Sequence, residues 1–255
     1  MMFVKDIETI DIQNGSILLV DKPLRWTSFD VVNKIKYKIR HLYGVRKFKI
    51  GHAGTLDPLA TGLLIICTGK CTKQIAALQE QIKKYTGTFV LGATTASYDM
   101  EKTVENFMPY KHLSETDILA AVSQFTGVIQ QLPPVFSAVR INGIRAFEYA
   151  RKKMDVVLHP KEVTVYSFDI TRIELPEIDF EITCSKGTYI RSIARDLGEV
   201  LGCGAYLSCL RRTKIGDFSV EDAMKMTSIS NEEKITTPNR KRKRRDFEQD
   251  INIPL

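Results

Sequence analysis

The stretch 51–64, with the sequence GHAGTLDPLATGLL, places a single carboxylate, Asp57, directly before an apolar run. The proline after Asp57 biases it towards an extended conformation, and Gly54 and Gly62 allow close backbone approach on either side. Residues 63–67, LLIIC, are apolar enough to form a buried strand or helix. A carboxylate at the edge of a buried element needs a compensating cation or hydrogen-bond donors. The residues alone leave open a structural Asp-Pro turn and a functional carboxylate.

Two catalytic patterns are excluded around Asp57. A phosphatase-type D-x-D is absent, because Pro58 and Leu59 follow the aspartate. The TGK at 68–70 is not a phosphate-binding P-loop, because Gly62 lacks the G-x-x-x-x-G-K spacing and Cys71 replaces the required Ser or Thr.

Apolar periodicity predicts strands and helices in an irregular order. Strands are predicted at 15–23, 83–95 and 161–175, and before a glycine turn at Gly187. Helices are predicted from the cap Thr27 with Asp30 in its first turn, from the cap Ser114 to Gly127, and up to Gly202. Asn142-Gly143 predicts a hairpin turn before a short helix. This order favours a mixed α/β (α+β) sheet with packed helices, not a βα-repeat barrel or a doubly wound fold.

The positive charge is concentrated at two places. The net charge is +7, and without the six consecutive cations of 240–245 it would be +1. From about Ser228 the apolar periodicity stops, so 229–255 is expected to be a flexible basic tail. A second cluster is either a solvated helix face or one flank of a nucleic-acid footprint; it comprises Lys34, Lys36, Lys38, Arg40, Arg46, Lys47 and Lys49.

Composition is that of a globular domain, with 44% hydrophobic residues and neither a secretory signal nor an apolar membrane span, which predicts a cytoplasmic protein. The five cysteines form no C-x-x-C pair and are expected to be reduced thiols in the core. The four histidines complete no metal signature, so we expect no metal.

Six blocks, in order between about 15 and 223, resemble the bacterial TruB-type tRNA pseudouridine synthases. They are DKPLRWTSFDVV, GHAGTLDPLATGLL, KKYTGTFVLGATTASYD, QLPPVFSAVRINGIRAFEYAR, CSKGTYIRSIARDLG and GCGAYLSCLRRTKIGDF. The resemblance implies the pseudouridine synthase fold, a mixed, largely antiparallel sheet with flanking helices and a central active-site cleft. It also implies isomerisation of uridine 55 in the T-loop of tRNA. The catalytic domain would span 1–228, with 131–153 as a loop that folds over bound RNA.

The resemblance assigns Asp57 as the catalytic aspartate, acting as a nucleophile. Whether it attacks the ribose, attacks the uracil ring or assists elimination through a glycal stays open. Arg191 matches a partner that favours the ionised carboxylate. Tyr189 matches an active-site tyrosine that is a candidate proton acceptor.

Further matched positions surround the target base. Tyr85 matches a stacking platform, Leu210 an apolar wall, and His52 a histidine that contacts the flipped-out nucleotide. Lys22 and Pro23 match a motif packed beneath the catalytic turn, and structural support also comes from Gly54 and Thr55 of that turn.

The resemblance implies tRNA as partner, no cofactor, no obligatory protein partner, no membrane and a monomer. Many family members carry a small C-terminal β domain, which is expected to be missing because only 32 residues follow Ala223. The run 240–245 would then partly compensate by attracting phosphates. Two alternatives are a non-catalytic tRNA-binding or folding factor on the same fold and an RNA-guided synthase within a ribonucleoprotein. The intact residues Asp57, Tyr85, Tyr189 and Arg191 argue against a dead enzyme.

Overall fold

The computed structural model describes residues 3–137, 140–141, 143–151, 154 and 157–227. Within them the helices are α1 (Ser28–Tyr43), α2 (Ile75–Glu80), α3 (Glu115–Ser123), α4 (Ala146–Arg151) and α5 (Ile190–Val200), with short 3-10 turns at Ile7–Thr9, Gly69–Gln74 and Val220–Asp222. The strands are β1 (Phe3–Val4), β2 (Ile17–Lys22), β3 (Ile50–His52), β4 (Ala60–Thr68), β5 (Lys83–Leu91), β6 (Thr94–Thr95), β7 (Val104–Glu105), β8 (Gly127–Gln131), β9 (Arg140–Ile141), β10 (Ile144–Arg145), β11 (Lys161–Glu174), β12 (Glu177–Cys184), β13 (Ala205–Ile215), β14 (Phe218–Ser219) and β15 (Met224–Lys225).

One large sheet organises the chain, with strand order β1-β2-β4-β13-β5-β12-β11-β8. β3 pairs with β4, β14 with β13 and β15 with β2. Along the main path β1–β2 and β4–β13 are parallel, and the other neighbouring strands are antiparallel. The prediction of a mixed, largely antiparallel sheet with flanking helices is confirmed.

The half of the sheet around β2 and β4 is buried on both faces. The run 63–67 is strand, not helix, and its side chains alternate: Leu64 and Ile66 face α1, whereas Leu63 and Ile65 pack towards Leu78 of α2. This burial on both faces explains why the run is apolar throughout, without the alternation of a half-buried strand. Burying each such side chain contributes roughly 1.5–3 kcal/mol.

Helix α1 begins where the sequence predicts. The Thr27 side chain accepts a hydrogen bond from the Asp30 backbone N–H, and the Asp30 carboxylate accepts one from the Thr27 backbone N–H. This reciprocal capping box satisfies backbone donors that a helix start leaves unpaired. The predicted apolar face is buried and consists of Val31, Val32, Ile35 and Ile39.

The other half of the sheet, β5, β11, β12 and part of β13, packs against α3 and α5. Its centre is aromatic: Phe89 and Phe180 stack with ring centroids 4.1 Å apart, and Phe168 meets both edge-on. The two halves join at the parallel pair β4–β13, where Leu210 lies opposite Ala60 and Arg212 opposite Gly62. This junction lies three residues after Asp57, so the sheet centre fixes the position of the carboxylate.

Some sequence predictions on element ends were wrong. The helix predicted to stop at Gly127 ends at Ser123, and Gly127 instead begins β8. The strand predicted over 83–95 is interrupted after Leu91, because Gly92 takes a φ of 92° and turns the chain. Both errors arise because glycine marks a change of chain direction without telling which element it ends.

Of the remaining predictions, one is confirmed and one is partly wrong. The hairpin and short helix are confirmed as β9, β10 and α4, although Asn142 itself lies outside the described residues. Three of the five free cysteines are buried, but Cys71 is half-buried and Cys209 exposed, so the prediction of core thiols was wrong for these two. The tail 229–255 lies outside the described residues. None of the described helices is long and apolar enough to cross a membrane.

Gly62 is required where the two halves join. It has a φ of 101°, and a Cβ at this position would lie 2.3 Å from the Arg212 carbonyl oxygen. We expect Gly62→Ala to destabilise the protein by roughly 1–2 kcal/mol for the left-handed backbone and a further ~1–3 kcal/mol for the clash. Chemical denaturation measures this loss.

Gly44→Ala is the matched control, because Gly44 has a φ of 65° and nothing lies within 4 Å of its added Cβ. It should show the backbone cost alone. Equal losses in the two variants would contradict close packing of β4 on β13.

Candidate active site

A cavity of about 410 Å3 lies beside Asp57, where β5, β13 and the start of α5 meet the turn that precedes β4. Its floor and walls combine apolar and aromatic side chains with a small number of charged ones. The residues that line it are Gly54, Thr55, Leu56, Asp57, Gln79, Glu80, Lys83, Tyr85, Ser137, Ser185, Lys186, Gly187, Thr188, Tyr189, Ile190, Arg191, Leu210 and Arg212. Of the predicted base-contacting residues, Tyr85, Tyr189 and Leu210 are therefore brought together with Asp57.

The turn 54–58, here called the catalytic turn, is held by its backbone. The Ser28 hydroxyl at the start of α1 accepts from the Leu56 N–H at 2.9 Å and donates to the Leu56 carbonyl at 3.2 Å. The Arg25 N–H donates to the Pro58 carbonyl at 2.8 Å, and the Ala60 N–H donates to the Asp57 carbonyl at 3.0 Å. Asp57 thus projects from a backbone that is bonded on both sides.

Arg212 is the second support of the catalytic turn. Its guanidinium is buried and donates to the carbonyls of Gly54 at 3.1 Å, Thr55 at 3.4 Å and Leu63 at 2.8 Å. Among the described residues it forms no ion pair. It also hydrogen-bonds the Tyr85 side chain. A buried cation without a carboxylate partner has a high desolvation cost, so its role here is to hold the turn rather than to add stability.

Lys22 supports the turn from the other side. Its ammonium is fully buried and donates to the carbonyls of Pro23 at 3.0 Å, Trp26 at 2.6 Å and Pro58 at 3.4 Å. Burial lowers the pKa of Lys22 to about 8, and the nearby Asp57 carboxylate opposes that shift. Lys22 and Pro23 thus lie beside the turn, and their supporting role stays a prediction.

The Asp57 carboxylate is ion-paired to Arg191, whose Nε lies 2.9 Å from Asp57 Oδ2. The Arg191 side chain is 5% exposed, whereas the Asp57 side chain is 40% exposed. The guanidinium is therefore behind the carboxylate, and the carboxylate remains open to the cavity. Glu199, further along α5, lies near Arg195 rather than Arg191.

Asp99 is a second carboxylate on the same arginine, which the sequence analysis did not single out. Its Oδ2 lies 3.6 Å from Arg191 Nε, and its side chain is 7% exposed. Its Oδ1 accepts from the Ser97 hydroxyl at 2.7 Å and from the Glu101 N–H at 3.0 Å. These two hydrogen bonds fix Asp99 in place, so the Arg191 guanidinium contacts two carboxylates, Asp57 and Asp99.

The remaining bonds of Arg191 go to backbone. It donates to the carbonyls of Ser97 at 3.3 Å and Phe136 at 3.0 Å. Two carboxylates and two carbonyls leave the guanidinium little freedom to rotate. Because Arg191 is held, the Asp57 oxygen that is paired with it is also held in a fixed direction.

Two tyrosines face the carboxylate from opposite elements. Tyr85 lies on β5 next to Arg212 of β13, and burial raises the pKa of its hydroxyl. Tyr189 is the residue before α5, and burial raises its pKa as well. Both rings are therefore neutral at physiological pH. Leu210 is 8% exposed and lies opposite Ala60 and Gly87, which places it at the wall shared by β4 and β5.

His52 ends β3 and is not among the residues that line the described cavity. Burial and the charge of Arg212 lower its pKa, so its imidazole is neutral at pH 7. Lys83 does line the cavity; its ammonium donates to the carbonyls of Gln79 and Gln81, and burial lowers its pKa to about 8. Within the described part of the chain no three His, Cys, Asp or Glu side chains cluster as metal ligands do.

Sequence reasoning missed Asp99 and Arg212 as parts of the site. Arg212 follows Arg211, and strand alternation shows only that one of the two faces inward. Arg211 instead makes a two-point ion pair with Asp21. Asp99 ends the sequence block KKYTGTFVLGATTASYD, but its proximity to Arg191 depends on a contact between chain segments 92 residues apart.

The buried ammonium of Lys22 leads to a prediction on pH and stability. Because its folded pKa is about 8, below the ordinary value of about 10.4, the charge opposes folding at neutral pH, and this cost is relieved between about pH 8 and 10. The parent should therefore gain stability relative to Lys22→Met over that range, measured by denaturant unfolding at each pH. Lys47→Met, on the exposed surface, is the control. A difference between parent and Lys22→Met that does not change with pH contradicts the prediction.

Two family models match the chain. "TruB family pseudouridylate synthase (N terminal domain)" matches residues 40–190, and "tRNA pseudouridylate synthase B C-terminal domain" matches 191–245. The boundary between them falls inside α5, and β13 of the second segment lies within the same sheet as the first.

Curated relatives match most of the chain. A protein of Flavobacterium johnsoniae named tRNA pseudouridine synthase B is 54% identical over 84% of this chain and 93% of its own length. One of the same name from Phocaeicola vulgatus is 49% identical over 86% and 94%.

Among solved structures, that of a Cbf5-Nop10-Gar1 complex superposes with a TM-score of 0.64 at 30% identity. It covers 87% of this chain, and this chain spans about half (55%) of that one. With the shared fold, the matched segments and the carboxylate–arginine pair in its cavity, the chain belongs to the TruB family and is a pseudouridine synthase.

Proposed function

We propose that this enzyme isomerises uridine 55 in the T-loop of tRNA to pseudouridine, with the target base everted into the cavity beside Asp57. The observation that carries the proposal is the Asp57–Arg191 pair at 2.9 Å, with the carboxylate open to a cavity of about 410 Å3. The names of the curated relatives support tRNA as the substrate. The position within tRNA follows from the sequence resemblance.

The reaction breaks the bond between ribose C1′ and uracil N1, turns the base, and forms a bond from C1′ to C5. The C5 proton leaves and N1 gains one, so the composition and oxidation state of the nucleotide are unchanged. A held carboxylate supports such a rearrangement as a nucleophile that is present in the ionised form. Arg191 pairs with the Asp57 carboxylate and fixes its direction, and Tyr189, which lines the same cavity, would accept or relay the proton.

Eversion of the base needs compensation from the cavity. Unstacking costs a few kcal/mol, and an aromatic platform returns about 1–3 kcal/mol for a stacked base. Tyr85 provides the aromatic face and Leu210 the apolar wall against which the ring would turn. His52 would contact the nucleotide only after the RNA has reshaped this side of the site.

Binding of a folded RNA arm would depend on phosphate contacts, and hence on salt. The chain carries no Asp or Glu between residues 31 and 56, whereas seven cations lie between 34 and 49. Arg40, Arg46, Lys47 and Lys49 are exposed. We propose that this face flanks the T-arm and that the segment 131–153, with its own arginines and lysines, contacts it from the other side. We further propose, as the sequence resemblance implies, a cytoplasmic monomer that acts without cofactor, guide RNA or protein partner.

Asp57→Asn tests the proposal. We expect it to lower the single-turnover rate by at least ~10³-fold, because an amide cannot act as the carboxylate does. Its affinity for the T-arm should be retained. The measurement is tritium release from a T-arm hairpin that carries 5-³H-uridine at position 55 only.

A second hairpin, labelled at position 54 only, is the positional control and should release no tritium. Release from position 54 would contradict the assigned position. Full activity of Asp57→Asn would contradict the assigned carboxylate. Retained binding with no release by the parent would instead favour the tRNA-folding factor.

Asp99→Asn tests the support behind Arg191. Loss of its charge removes one of the two carboxylates on the guanidinium and leaves Asp57 and the Ser97 and Phe136 carbonyls to hold it, so we expect chemistry to slow by roughly 10–10²-fold, with unchanged T-arm affinity. Glu101→Gln is the control, because Glu101 contributes only its backbone N–H to Asp99. A parental rate for Asp99→Asn would show that the Asp99 charge does not help to position Arg191 for the reaction.

A further inference from the structure

Gln131, the last residue of β8, makes an unusual contact with the residue that begins α5. Its side-chain Nε2 donates to the Tyr189 carbonyl at 3.1 Å, and its Oε1 accepts from the Tyr189 backbone N–H at 2.8 Å. Gln131 is 1% exposed. One buried carboxamide therefore satisfies both backbone groups of a single residue, 58 positions away in the chain.

This contact anchors the residue at the start of α5 from outside the helix. Tyr189 is the N-cap of α5 and makes no side-chain capping bond. The Tyr189 carbonyl also accepts from the Ser192 N–H at 3.0 Å and the Ile193 N–H at 3.2 Å, so the helix itself holds one side of the residue. The bond from the Tyr189 N–H to Gln131 holds the other side, which faces the turn that follows Gly187. A carboxamide bonded on both sides of the Tyr189 Cα resists rotation of this residue, because rotation would break at least one of the two bonds.

The next residues extend the same attachment. The Ser192 hydroxyl donates to the Leu132 carbonyl at 2.8 Å, and Arg195 donates to the same oxygen at 3.3 Å. Arg191 reaches the Phe136 carbonyl. The first turns of α5 are thus bonded to the segment 131–136. Within that segment only Gln131 contributes a side chain to these bonds, and only it contacts Tyr189 in this set.

We infer that Gln131 is a positioning residue for the reaction: its carboxamide fixes the Tyr189 ring relative to the Asp57 carboxylate. Gln131 lines no part of the cavity and does not touch the base. The inference rests on the role proposed for Tyr189. Its cause is geometric, since a misplacement of about 1 Å in a reacting group can cost ~10²-fold in rate.

Gln131→Met tests the inference, because methionine fills a similar volume and removes both hydrogen bonds. We expect single-turnover tritium release to slow by roughly 10–100-fold at a temperature well below unfolding, with T-arm affinity within about two-fold of the parent. Gln130→Met is the matched control: the same residue type, on the same strand, with an exposed side chain. It should keep the parental rate.

The double variant Gln131→Met/Tyr189→Ala separates positioning from general support. If Gln131 acts through the Tyr189 side chain, the double variant is no slower than Tyr189→Ala alone. Should Gln131→Met slow the reaction by the same factor in both backgrounds, or not slow it at all, the inference is overturned.

Two further measurements keep the test decisive. If Gln131→Met does not fold, Gln131→Glu takes its place, because it keeps the acceptor for the Tyr189 N–H and loses the donor to the carbonyl; it should also be slow with unchanged affinity, and a parental rate would overturn the inference. Failure of the proposed function is read separately from Asp57→Asn, in which Gln131 is intact.

Discussion

The ion pair between Arg191 and Asp57 is the interaction on which the rest of the site depends. A carboxylate open to solvent needs no partner, and a buried arginine without a partner is costly. Here the Arg191 side chain is buried and the Asp57 carboxylate is open to the cavity, so Arg191 holds the carboxylate from the protein side. Asp99 is itself fixed by the Ser97 hydroxyl and the Glu101 N–H, and it helps to hold the Arg191 guanidinium in place.

Three buried cations surround one short turn, and each has a different kind of partner. Arg191 meets carboxylates, whereas the hydrogen bonds of Lys22 go to backbone carbonyls and those of Arg212 go to backbone carbonyls and the Tyr85 side chain in the described structure. Such bonds hold the catalytic turn to β2, α1 and β13 without neutralising the charges. The lowered pKa of Lys22 reflects the unfavourable burial of its charged ammonium. A small part of the stability of the fold is thereby exchanged for a fixed carboxylate, as is common where electrostatic preorganisation serves a reaction.

The cavity itself results from the joining of two differently built half-sheets. The β2–β4 half is apolar on both faces, and the β5–β12 half is packed on an aromatic centre. They meet through a parallel pair only three residues long, next to which Leu210, Tyr85 and Asp57 converge. A contact this short, with Gly62 against the Arg212 backbone, leaves room for a cleft beside it.

The sequence by itself determined the local elements and pointed to Asp57 as the candidate reactive group. The capping box of Thr27 and Asp30, the buried run 63–67 and the exposed Asp57 before it follow from periodicity and from the geometry of Asp-Pro, and motif resemblance added Tyr85, Tyr189, Arg191 and Leu210. Such features depend on residues within a few positions of one another, and so they can be read along the chain.

Only the tertiary structure decided which distant groups hold those residues in place. Asp99 beside Arg191, Arg212 rather than Arg211 beneath the turn, and Gln131 on the backbone of Tyr189 are contacts across 58 to 158 positions. Their physical reason is register: strand pairing and helix packing set which of several similar side chains faces inward, and a shift of one residue would reverse that choice.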